Sequence, residues 1–308
     1  MSIENKKDNT MQLQPDCIPC ILTMSIAAIR KLSLNDDVSR DLYSDILTIP
    51  GLRGLEWNQT SPDIIEIVME KISSVVNNVD PFLEEKNNLN NRVLKIYPFL
   101  SKLVTDSPDP LYTAAKISIL GNSIDFMMPD GTVTIETFIM EKLDTPLSKK
   151  AFSAFTQQLE KANQILFFGD NCGEIVCDKL FIKTLKKQYD LEVAYVVRNI
   201  PTLNDATLKE AMDIGLDEVA TVMNNGIDGP LPGTVLKRCS SKVKKLVDQS
   251  DLIISKGGGN FDTLEEEIHH LNTDITFMLL SKCAPQNAYF KTNLHQMILA
   301  NFSHGQLL

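Results

Sequence analysis

From about residue 11 to residue 120 the apolar positions recur at helical spacing. Ile21, Met24, Ala28 and Leu32 fall on one face of one segment, and Ile64, Ile67, Val68 and Ile72 on one face of another. Asn35-Asp36-Asp37, Pro50-Gly51 and Asn87-Asn88 punctuate this stretch as turn signals. No strand-like alternation longer than a few residues precedes about Thr132, so an all-helical region is expected.

After residue 150 the texture changes. Phe152, Phe155, Leu159 and Ala162 make a helical stripe, followed by the apolar run Ile165 to Phe168, which reads as a buried strand. Ile175, Val176, Leu180 and Leu185 return to helical spacing, and the β-branched run Val193 to Val197 predicts a second strand. A helix is expected over Ala206 to Met212, a weak strand over Glu218 to Met223, and a helix around Val243 to Val247. Strands are expected at Leu252 to Ile254 and Ile275 to Leu280. Strands alternating with helices imply right-handed crossovers and a parallel sheet covered on both faces. The fold class is therefore α/β, with a helical N-terminal domain over residues 1–120 and an α/β domain over residues 121–308.

Composition narrows the partners. The 308 residues carry 30 basic and 40 acidic side chains, a net charge of -10, with no basic stripe for nucleic acid. Residues 1–10 lack the apolar segment of a secretory signal, and no run of about 18 apolar residues could span a bilayer. Six cysteines are too few for a disulfide scaffold. The expectation is a cytoplasmic protein that binds neither nucleic acid nor membrane; its oligomeric state is not legible.

Three strand ends carry the candidate chemistry. The first is followed by Gly169-Asp170-Asn171-Cys172-Gly173-Glu174, the second by Arg198-Asn199 and then Asn204-Asp205, and the Leu252 strand by Ser255-Lys256-Gly257-Gly258-Gly259-Asn260. In a parallel sheet these ends share one edge, where ligands bind. Asp170, Asn171 and Asp205 offer only oxygen ligands, which favour a hard cation such as Mg²⁺ or Mn²⁺. The competing reading is helix capping, which Asp and Asn also serve. Glu174 and Asp178 lie on one face of the following helix, where Glu174 is either a general base or a supporting group, or simply a residue favoured by the helix dipole. Lys256 with Gly257 and Gly258 reads as an anion cradle or as a flexible turn, and is neither a Walker A loop nor a dinucleotide motif. Cys17-Ile18-Pro19-Cys20 is a solitary CxxC that would need His269 or His270 nearby to complete a zinc site; Cys172 and Cys177 read as packing.

These segments together resemble the damage-control phosphatase family, also described as domain of unknown function 89. The resemblance runs through Pro15-Asp16-Cys17-Ile18-Pro19-Cys20, Gly121-Asn122-Ser123-Ile124-Asp125 and the Asp170 to Asp178 segment. It continues through Pro201 to Thr207, Gly229-Pro230-Leu231-Pro232-Gly233-Thr234 and Ser255 to Leu264. It implies a helical N-terminal domain packed on a Rossmann-like α/β domain, and a divalent metal on Asp170, Asn171 and Asp205. The implied activity is hydrolysis of small phosphate monoesters such as sugar phosphates or damaged phosphometabolites. Asn122, Asp125 and Lys256 would contact substrate and phosphate, joined by Gly257, Gly258 and Asn260. Cys172 stands where small residues such as alanine are usual in the family.

The expected reaction is thus metal-assisted hydrolysis with Mn²⁺, Mg²⁺, Co²⁺ or Ni²⁺, using Asp170, Lys256 and Glu174 on a small phosphorylated metabolite. Two other readings stay open at this point: a methyltransferase-like group transferase using the same crevice, and a non-catalytic metal- or metabolite-binding protein.

Overall fold

The computed structural model describes residues 11–76, 80–123 and 134–308. Three helices open the chain: α1 (Cys17–Lys31), α2 (Asp36–Ile46) and α3 (Ser61–Val75). Two turn signals prove to be helix boundaries. The Asn35 side chain accepts from the Val38 amide and caps α2, and Pro50-Gly51 enters a short 3-10 turn. The Asn87-Asn88 signal is overridden, since both residues lie inside α4 (Leu83–Asp106). There Leu89, Val93, Ile96, Leu100 and Val104 form a buried stripe, and burying it outweighs the modest helix propensity of asparagine.

The cores divide unevenly. Residues from α1 to α3 pack around Ile21, Ile46, Ile64, Val68 and Ile72. By contrast α4 and α5 (Pro110–Gly121) share one core with the helices and strands that follow. After α6 (Ile135–Leu143) and α7 (Lys149–Leu159) the chain enters the sheet. β1 (Gln164–Phe168), α8 (Glu174–Gln188) and β2 (Glu192–Val197) come first, followed by α9 (Leu208–Asp213) and β3 (Thr221–Asn224). Next are α10 (Ser241–Gln249), β4 (Leu252–Lys256), α11 (Gly258–Leu264) and β5 (Asp274–Leu280). The chain closes with α12 (Ala284–Phe290), β6 (Met297–Ser303) and β7 (Gln306–Leu307).

Among the described residues seven strands form one sheet, in the order β3-β2-β1-β4-β5-β6-β7. β1 to β5 are mutually parallel, while β6 and β7 run antiparallel at one side. This is a mostly parallel α/β sheet, as expected, extended by two strands the apolar pattern had not announced. β3 begins at Thr221 rather than at Glu218, because Leu216–Glu218 is taken up by a 3-10 turn. Alternate residues serve opposite faces: Ile165, Phe167, Val193, Tyr195 and Ile254 join one core, and Leu166, Phe168, Ala194, Val196 and Ile253 the other. The strand order reverses between β1 and β4, so a crevice opens at their carboxyl ends. Among the described residues no helix is long and apolar enough to cross a membrane.

Candidate active site

The turn after β1 is shaped by what surrounds it. A Cβ on Gly169 would lie 2.4 Å from the Tyr195 ring, so only glycine fits. Gly173 turns the chain into α8 with φ +81, and its amide donates to Asn90 Oδ1 of α4 at 2.6 Å. The turn is tied by backbone to the loop after β2: Cys172 N donates to Asn204 O and Ala206 N to Asp170 O, both at 2.9 Å. Asn171 and Asp205 thereby face one another in an antiparallel bridge. Leu203, two residues before Asp205, is held at φ +43, an unusual conformation for a bulky side chain.

The capping explanation for these polar residues does not hold. Gly173 is the N-cap of α8, with no side-chain cap. Thr207 caps α9, where its amide donates to Glu210 Oε2 at 2.9 Å. Asp170, Asn171 and Asp205 are thus free of that duty, and the two carboxylates are buried together with Glu174 and Asp178.

Arg198, placed by the sequence at the second strand end but given no role there, organises the cluster. Its Nε donates to Asp205 Oδ2 at 2.6 Å and one terminal nitrogen to Asp170 Oδ1 at 3.0 Å. The other terminal nitrogen donates to Asn260 Oδ1 at 2.7 Å and Gly233 O at 2.9 Å. On the far side of Asp170, Asn171 Nδ2 and Asn122 Nδ2 donate to Oδ2 at 2.8 and 3.1 Å. Asn122 Nδ2 also reaches Glu174 Oε2 at 2.8 Å, so it bridges the two acids. Burial, then Asp205 and Glu174, hold the Asp170 carboxyl well above its ordinary pKa, against the pull of Arg198 and Lys282. Burial likewise raises Asp205 and Asp178, against Arg198 in the first case and Lys256 in the second.

Two residues expected to contact substrate are engaged by the protein itself in this structure. Lys256 lies beneath the crevice, fully buried. Its ammonium is enclosed by Ser118 O and Oγ at 2.9 Å and by Asp178 Oδ1 and Glu174 Oε1 at 2.7 Å. A lysine so surrounded neutralises two acids and has no proton left for a phosphate. Asn260, expected to touch substrate, is buried with both ends engaged: Oδ1 accepts from Arg198 and Thr234, and Nδ2 donates to Gly169 O and Lys256 O. It ties the ends of β1 and β4 together instead. Gly257 and Gly258 do border the crevice. Gly257 has φ +76, and a Cβ there would fall 1.8 Å from Asp170 Oδ2. Asp125 lies outside the described residues.

The charged neighbour missed in the sequence is Lys282, half-buried just after β5 and close enough to Asp170 to favour its ionised form. Its position at the carboxyl end of a strand was the available signal. Cys17 begins α1 and Cys20 lies one turn on. Among the described residues they do not gather with His269 or His270 into a group able to hold a metal.

The oxygen donors of this cluster are of the kind a hard divalent cation takes. Asp170, Glu174, Asp178 and Asp205 are buried together around Arg198 and Lys256, with Lys86 acting on Asp205 and Lys282 on Asp170. Asn122 Oδ1 is buried without a hydrogen-bond partner among the described residues. A hard cation on Asp170, Asn171 and Asp205 would meet oxygen donors alone and add positive charge among the acids.

Relatives match nearly the whole chain. The model of the damage-control phosphatase ARMT1-like domain matches residues 13–298. An uncharacterised protein of Methanocaldococcus jannaschii is 29% identical over 284 residues, covering 90% of this chain and 91% of that one. A damage-control phosphatase of Pyrococcus horikoshii is 27% identical, covering 89% and 92%. One of Archaeoglobus fulgidus is 25% identical, covering 94% and 98%. The crystal structure of a DUF89 family protein from P. horikoshii superposes with a TM-score of 0.82 over 94% of this chain and 98% of that chain, at 23% identity.

Proposed function

The chain belongs to the damage-control phosphatase ARMT1-like family, and on that footing we propose that it is a metal-dependent phosphatase of small phosphate monoesters, sugar phosphates or damaged phosphometabolites. One observation carries this reading. Two carboxylates, Asp170 and Asp205, are pinned side by side by one buried arginine at the switch point of a parallel sheet, in a buried cluster that also holds Glu174 and Asp178. A bound divalent cation would supply Lewis-acid polarisation of a phosphoryl oxygen and lower the pKa of water.

The protein's own residues prepare that place. Arg198 fixes the separation of Asp170 and Asp205 and leaves Asp170 Oδ2 facing the amides of Asn122 and Asn171. Lys256 pairs with Glu174 and Asp178 underneath, at 2.7 Å each, so that the pocket floor is held rigid. Asn122 links Asp170 to Glu174 and so transmits the position of one acid to the other. Lys282, just after β5, is the cation placed to meet the charge of a phosphoryl group. A cytoplasmic setting suits six free thiols and a phosphorylated substrate. The group-transferase alternative has less support, since the end of β2 carries Arg198, engaged by Asp170, Asp205, Asn260 and Gly233, where a ribose-binding acid would stand.

The test is release of inorganic phosphate from a panel of sugar phosphates and p-nitrophenyl phosphate. Turnover is expected for the native protein, with a loss of at least about 100-fold in Asp170→Asn. Undiminished turnover in that variant, or none by the native protein with any metal, contradicts the proposal. The second outcome would leave a binding protein.

A further inference from the structure

Next to Gly257 lies a buried polar pair of a different character, Gln286 and Asp262. Gln286 of α12 is 4% exposed, yet its Oε1 has no hydrogen-bond partner among the described residues. The orientation of this amide is set by its other end, where Nε2 donates to Asp262 Oδ1 at 3.2 Å. The amide lies directly on the backbone of α11: a Cβ on Gly258 would fall 2.5 Å from Gln286 Nε2. Gly258 is the neighbour of Gly257, whose own missing Cβ marks the position of Asp170 Oδ2. Asp170 and Gln286 thus pack against two consecutive residues of one turn. Asp262 is one helical turn after Gly258 and so shares its face of α11.

The chemistry of this pair is that of an acceptor. Gln286 Oε1 and the Asp262 carboxylate accept hydrogen bonds; Cys283, at the start of α12, contributes a neutral thiol whose pKa burial pushes up to about 12. The charged group acting on Asp262 is the acidic Glu265, not a cation. A phosphate would be repelled here, whereas neutral hydroxyl groups would find two acceptors. A buried carbonyl oxygen with nothing to accept from is costly, and a substrate hydroxyl would relieve it.

We propose that Asp262 and Gln286 form the specificity subsite of the crevice, accepting hydrogen bonds from hydroxyl groups on the carbon skeleton of the phosphate ester while the phosphoryl group lies at Asp170. This rests on the phosphatase reading above. It assigns selectivity for polyhydroxylated esters to two side chains outside the acid cluster, and it gives Gly258 a reason to lack a side chain.

The experiment compares kcat/KM for ribose 5-phosphate, 2-deoxyribose 5-phosphate and p-nitrophenyl phosphate in the native protein, Gln286→Leu and Asp262→Asn, with folding checked by thermal unfolding. In each variant the ratio of kcat/KM for ribose 5-phosphate to that for p-nitrophenyl phosphate is expected to fall about 10- to 100-fold. Discrimination between the two pentose phosphates is expected to shrink in at least one variant. A ratio that stays within twofold of native in both variants overturns the subsite while leaving the phosphatase reading intact. Failure of the native protein to hydrolyse any of the three esters overturns the phosphatase reading, and the subsite with it.

Discussion

Replacing Arg198 with methionine tests the electrostatic logic of the site most severely. The guanidinium is 3% exposed and bonds Asp205 at 2.6 Å, Asp170 at 3.0 Å, Asn260 at 2.7 Å and Gly233 O at 2.9 Å. Methionine fills much of the volume but leaves both carboxylates buried beside one another without a counter-charge. Breaking a buried pair by removing one partner costs about 3–5 kcal/mol. With an unfolding entropy of about 2.1 cal/mol/K per residue over this chain, that corresponds to a Tm lower by about 5–8 °C. Thermal and urea unfolding with chelator at pH 7 and pH 5 would measure it. Burial already raises the pKa of both acids, so at pH 5 protonation should relieve part of the penalty, and the deficit of the variant should shrink. At pH 7 a divalent cation should recover part of it too, by replacing the lost charge. A loss below about 1 kcal/mol, or one equal at both pH values, would refute the claim that Arg198 is there to hold two ionised carboxylates together.

The native protein should show a related pH signature. Asp170, Asp178, Asp205 and Asp262 all have raised pKa values, Asp262 about 7. The folded form therefore binds protons more tightly than the unfolded chain, and without metal the contribution of these groups to stability declines as pH rises from about 4 to about 7. Saturating divalent metal should flatten or reverse that decline, as unfolding at several pH values with and without metal would show; an identical profile in both conditions would count against a metal at these acids. Gly257→Ala combines a φ of +76 with a Cβ 1.8 Å from Asp170 Oδ2, so the acid must move. Phosphate release should drop by more than about 10-fold with a Tm loss of a few degrees, whereas near-native kcat would show that the position of Asp170 is not critical.

Much of the architecture was legible because burial on both faces leaves continuous apolar runs. Ile165 to Phe168, Val193 to Val197 and Ile275 to Leu280 announce their strands in this way, and the polar residues after them mark the functional edge. The antiparallel β6 and β7 were missed. Asn301 and Ser303 interrupt the apolar run of β6, and Asn301 is buried by bonding Thr276 and Ala151 O, a tertiary arrangement that no local pattern reveals. Within the site, the convergence of Asp170, Asn171 and Asp205 followed from parallel topology alone. The jobs of Lys256 and Asn260 did not, because a lysine beside three glycines looks the same whether it points to a crevice or, as here, to Ser118 and Asp178 beneath it. Arg198 lay in plain view at the end of β2, but its value depends on partners supplied by four separate segments. Only folding brings those together.

The central claim, that the acids around Asp170 hold a divalent cation used for phosphate-ester hydrolysis, is tested most directly by phosphate release from chelated protein. Mn²⁺, Mg²⁺, Co²⁺ or Ni²⁺ would be restored one at a time, with Asp170→Asn and Asp205→Asn assayed alongside. The account predicts negligible release without metal, recovery with at least one of the four, saturation near one ion per chain, and little recovery in either variant. Full activity in the chelated protein, or equal recovery in both variants and the native protein, would contradict it.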